Sequence, residues 1–75
     1  MLRLSENAKG EIKRNWSSAP WLSVGYCLLL LKDVKNCSKS ELESKGEIMK
    51  EMIQKKEVSS VDEFISVFEE KFLNT

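Results

Sequence analysis

Seventy-five residues and 8.6 kDa set the scale of one small domain, and 41% apolar with 32% charged residues places the chain among folding sequences rather than disordered tails. Twelve basic residues balance twelve acidic ones for a formal net charge of +0, so the footprint of a general polyanion binder is missing. Histidine is absent and cysteine occurs twice, which removes the commonest general base and leaves too few ligands for a structural zinc, so no metal or cofactor is expected.

Breakers at Ser17-Ser18-Ala19-Pro20, Asn36-Cys37-Ser38-Lys39-Ser40 and Val58-Ser59-Ser60 divide the chain into four segments with no internal repeat. In the first, Ser5 is a candidate cap and Leu4, Ala8, Ile12 and Trp16 recur every four residues, interrupted by Gly10. The spacing predicts a helix over about 5–16. The second segment, from Pro20 to Lys35, is apolar almost all round. That pattern predicts a central helix over about 20–35 buried on most sides, with Pro20 in its first turn, Ser17 or Ser18 as its cap, and Lys32 and Lys35 at its negative end. Its apolar run from Trp21 to Leu31 is eleven residues, against about 20 for a bilayer span. Leu22, Val24, Tyr26, Leu28 and Leu30 also alternate as a strand would, but a lone strand has nothing to pair with in this chain, so helix is favoured.

The third segment opens on overlapping capping boxes, Ser38 with Glu41 and Ser40 with Glu43. Leu42, Met49, Met52, Ile53 and, less centrally, Ile48 form its apolar face. Glu41–Lys45 and Glu51–Lys55 are i,i+4 pairs in the favourable order, and Gly46 falls on the apolar side, where it would admit a neighbouring helix. A helix over about 40–57 follows. In the fourth segment Ser60 and Glu63 form a capping box, and Val61, Phe64, Ile65, Phe68 and Phe72 make one stripe, which predicts a helix over about 60–73. The whole is a compact all-α bundle of three or four helices.

Cys27 and Cys37 are preceded by no apolar signal-peptide core, so they are expected as free thiols in a reducing, cytoplasmic compartment. On one helix they would stand roughly 15 Å apart, too far for a disulfide. Cys37, between Lys35 and Lys39, has the charged surroundings of a reactive thiol but no base to use it.

The first forty residues carry seven bases and three acids and the remainder five bases and nine acids, so the surface is bipolar although the total cancels. Trp16 and Trp21 bracket a turn beside Lys13 and Arg14. Tryptophan and arginine are enriched among interface hot spots, which makes this corner the first candidate partner surface, against the plainer reading of two indoles closing a small core. Val67 lies off the apolar stripe of the last helix and is the candidate exposed residue there. The phenylalanine stripe itself, and Met49 with Met52, are better explained as core.

Lys45, Lys50, Lys55 and Lys56 alternate with Glu43, Glu47, Glu51 and Glu57, so nucleic acid is not the expected partner. A glycine-rich phosphate loop and a base beside Ser or Cys are both missing, so an enzyme is not expected either. The acidic polar face of the last helix argues against a membrane surface. The expectation is a small intracellular protein-binding module that regulates or inhibits a larger protein by occupying its surface. Its chain is taken as complete, of a kind common among phage and mobile elements. A homo-oligomeric structural or assembly subunit, dimeric across the second helix, is the first alternative, and a nucleic-acid-binding regulator is the second and weaker one.

Overall fold

Each helix starts where a serine side chain takes up a free backbone N–H or a proline lacks one. Ser5 accepts from the Ala8 N–H at 3.1 Å, and α1 runs Glu6–Ser18 with Ala8 and Ile12 buried and Leu4 and Trp16 half-buried on the same face. In this computed structural model residues 2–74 are described. Helical bonding in α1 extends to the Ala19 N–H, which donates to the Asn15 carbonyl at 2.9 Å. The expected serine cap of the next helix is therefore not found. Ser17 and Ser18 belong to α1, with the Ser17 hydroxyl donating back to the Lys13 carbonyl. The N-cap of α2, Pro20–Lys35, is Ala19 in extended geometry, without a side-chain hydrogen bond.

The apolar run is helical, and no strand occurs among the described residues. Ser23, Val24, Cys27 and Leu31 are its buried residues, and the buried Ser23 hydroxyl donates to the Ile12 carbonyl at 2.7 Å, fixing α2 against α1. The helix is central in that α1, α3 and the C-terminal turn all pack on it. Burial on most sides is not what is found, because those neighbours gather on one half of its circumference and leave Leu22 at 53% and Leu29 at 63% exposure.

Asn36, in the left-handed region at φ 52°, ends α2, and its N–H donates to the Lys32 carbonyl. Of the two capping boxes, the Ser38–Glu41 pair forms, with the Ser38 oxygen accepting the Glu41 N–H and the Glu41 carboxylate accepting the Ser38 N–H. α3 thus spans Lys39–Gln54. It ends before the expected 57 because Lys56 turns left-handed at φ 57°, which carries Val58 back into the core at 7% exposure. Glu51 and Lys55 pair at 2.6 Å as the spacing predicts, whereas Glu41 is taken up by the cap. The Lys55 hydrogen bond, and then its charge, hold the Glu51 carboxyl below its ordinary range. Ile48, expected at the margin of the apolar face, is 48% exposed.

Ser60 accepts from the Glu63 N–H at 3.2 Å and starts α4, Val61–Phe68. The Glu63 carboxylate reaches Ser59 rather than Ser60, so the returning arm of the box lands one residue early. The expected single helix to 73 changes at Glu69 into a π-helical turn, Glu69–Leu73, whose wider winding accompanies burial of both Phe72 at 6% and Leu73 at 2%.

Phe64 and Phe68, both fully buried, meet Ile12, Val24, Cys27, Leu31 and Met49 in one apolar cluster. The Cα radius of gyration, 11.2 Å, matches the roughly 11 Å of a compact chain of this length. The two ends are clasped. The Asn74 amide accepts from the Leu2 N–H and donates to the Leu2 and Glu69 carbonyls, while the Glu69 carboxylate accepts the Leu4 N–H at 2.7 Å. Lys35 adds a bond to the Leu73 carbonyl at 3.2 Å.

The glycines give opposite predictions. A Cβ on Gly46 would stand 3.1 Å from Leu28 Cδ1, whereas one on Gly10 would meet nothing within 4 Å. Gly46→Leu should destabilise by about 1–3 kcal/mol through overpacking, and Gly10→Ala should stabilise by up to about 1 kcal/mol, both read from urea midpoints. Asn74→Ala should cost about 1–2 kcal/mol in the same measurement, since a clasp of three hydrogen bonds is lost at a partly exposed site.

Candidate interaction surface on the second helix

The residues singled out in the sequence divide once folded. Trp16 packs its ring 5.2 Å from that of Phe64, at 42°, and is half-buried as part of the core. Trp21 keeps 45% of its surface exposed. Lys13 pairs with Asp62 at 3.4 Å, joining α1 to the start of α4, and Arg14 pairs with Glu11 on its own helix. All four of these charged groups are substantially exposed, so the pairs stabilise the fold little. Val67, expected as an exposed apolar residue, is instead half-buried, because it packs against the core cluster. Of the five candidates, Trp21 alone presents a largely free apolar surface.

What joins it was missed in the sequence. Leu22 and Leu29 are separated by seven residues, two helical turns, and lie on one face of α2 with Gly25 between them. Gly25 is exposed, and a Cβ there would find open space. The available signal was that a helix apolar on every side, in a chain with only three further segments, has more circumference than its neighbours can cover.

Beside this face lies a groove of about 320 Å³ between α2 and α3. Buried Gly46 and half-buried Leu28 and Leu42 form its floor, and Leu29 is its wall toward the open face. Lys32, Lys39 and Lys50 stand on its rim with Glu43 and Glu47, so the apolar floor is bordered by both signs of charge. The glycine that lets Leu28 approach α3 thus also shapes the floor.

Neither cysteine lines the groove. Cys27 is fully buried, and burial pushes its thiol from an ordinary value near 9 up to about 12. Cys37 is half-buried in the connection after α2, and both thiols are free. No cluster of three potential metal ligands occurs among the described residues, and no described helix is long and apolar enough to cross a membrane. Comparison with protein-family models, with curated proteins and with solved structures gave no match.

A thiol reagent at neutral pH should therefore modify one cysteine per native chain, Cys37, and two after denaturation. Because the folded Cys27 pKa is raised, the neutral thiol favours the native state fully below about pH 9, and that contribution is lost as pH climbs toward about 12. The urea midpoint should fall over that alkaline window in the wild type, and fall less in Cys27→Ala after allowing for the smaller side chain.

Proposed function

We propose that this chain is a small intracellular protein-binding module, without catalytic activity, that acts by placing the outer face of α2 on a larger protein. The observation that carries the reading is the contiguous exposure of Trp21, Leu22 and Leu29 on one helix whose other side anchors the core. Isolated apolar residues are normal on a surface, whereas a contiguous set beside a groove is the usual mark of a contact site. Trp21 supplies the large anchor that interface hot spots favour, and the mixed charges of the groove rim supply orientation. A regulator or inhibitor working by occupation needs only such a surface on a stable scaffold. The fold provides one, since α2 is fixed on its inner side by the Ser23–Ile12 hydrogen bond and by the buried Val24, Cys27 and Leu31. Nucleic acid is not the partner proposed, because the rim sets Glu43 and Glu47 between Lys39 and Lys50.

The test is a photo-crosslinking amino acid at position 29, introduced into the chain expressed in its own source cells, with position 48 as the control. A crosslink to a heavier protein from position 29, weakened by Trp21→Ala and lacking from position 48, is the expected result. Crosslinks from position 29 that join only copies of this chain, or none at all, would overturn the reading.

A further inference from the structure

Resting on that reading, we infer that the face of α2 offered to the larger protein is covered in the free chain by a second copy of itself, so that self-association and partner binding compete for Leu22, Gly25 and Leu29. The spacing of the face is self-complementary. Leu22 stands three residues before Gly25 and Leu29 four after it. Two α2 helices crossing antiparallel about a two-fold axis between Gly25 and Tyr26 set Leu22 of each copy against Leu29 of the other, and the two glycines face one another at the centre. This is the residue-to-residue reciprocity an isologous dimer requires.

Gly25 supports the close approach. A glycine in a helix interior costs about 1 kcal/mol relative to alanine, and here no packing within the chain uses it, since a Cβ would meet nothing within 4 Å. Its counterpart Gly46, on α3, is used where Leu28 sits 3.1 Å from the corresponding Cβ position. Glycine opposite glycine lets the two α2 backbones approach closely at the centre, as Gly46 lets Leu28 approach α3.

The charges agree with the same pairing. Between Ala19 and Leu31 there is no charged residue, so nothing repels at the centre. At the edges, the antiparallel arrangement brings Asp33 of one copy to the start of the other's α2. That start has no side-chain cap and no acidic residue in its first turn, and Asp33 has no ion-pair partner among the described residues. A carboxylate is favoured at such a helix start. Lys32 comes beside Trp21 of the other copy, where a cation is attracted to an indole face. A net charge of +0 adds no long-range repulsion between copies.

The experiment is sedimentation equilibrium of the full chain with reductant, over a hundredfold concentration range, on the wild type and on Gly25→Lys, Leu29→Glu, Asp33→Lys and Ile48→Glu. All substituted positions are exposed, and helical content by circular dichroism checks each fold. The wild type and Ile48→Glu should pass from 8.6 kDa toward twice that mass as concentration rises. Gly25→Lys and Leu29→Glu should remain monomers or dissociate about tenfold or more readily, with Asp33→Lys weakened in the same direction. A wild type monomeric throughout, or a dimer unaffected by both Gly25→Lys and Leu29→Glu, would overturn the inference. A monomeric wild type that still crosslinks a heavier protein through position 29 would leave the proposed function standing without it, and a dimer whose position 29 crosslinks only itself would leave the dimer standing without the larger partner.

Discussion

A helix that is apolar around its whole circumference has to be covered on every side or leave part of itself in water, and α2 meets this constraint with too few neighbours. α1 and α3 flank it and the π-helical turn closes on it, so Val24, Cys27 and Leu31 are sealed within the cluster that holds Phe64 and Phe68. The rest of the chain has been spent by then. α4 packs on α1, and the side of α2 carrying Trp21, Leu22, Gly25 and Leu29 remains outside. Burying a leucine is worth about 1.5–3 kcal/mol, so two half-exposed leucines beside a half-exposed tryptophan are a sizeable reserve of contact free energy in a domain this small.

The remaining features of the fold keep that helix in place. Ser23 spends its hydroxyl on the Ile12 carbonyl, the one buried polar side chain of α2, and thereby fixes its rotation. Gly46 lets Leu28 approach α3, and the same close approach shapes the groove that borders the exposed face. Asn74 and Lys35 fasten the C-terminal turn to the N-terminal segment and to the end of α2. Rotation of α2 by a third of a turn would bring Leu22 and Leu29 inward only by expelling Cys27 or Val24, so the choice of which face stays out is written into these contacts.

The architecture was legible in the sequence where local chemistry decides it. Serine caps, the i,i+4 pair Glu51–Lys55 and the phenylalanine stripe depend on residues a few positions apart, and the helices they predict are present within a turn or so of the expected ends. The departures arise where tertiary packing wins. The last helix winds into a π turn where Phe72 and Leu73 are both buried, and α3 stops early so that Val58 can return. The surface was harder to read, because periodicity says which side of an amphipathic helix faces in but says nothing about a helix without a polar side. Trp21 was found from its residue type, whereas Trp16, Lys13, Arg14 and Val67 are engaged within the fold. Leu22 and Leu29 could be located only once the neighbours of α2 were in place.

Trp21 reports directly on whether the outer face of α2 is open in the single chain and covered on association. In a Trp16→Phe variant Trp21 is the sole tryptophan, and its accessibility to acrylamide quenching can be followed against protein concentration. Ready quenching at the lowest concentration, falling as concentration rises, is the predicted result. Trp21 shielded from quencher even in the dilute monomer would mean that α2 is covered by its own chain, and would contradict the account at its centre.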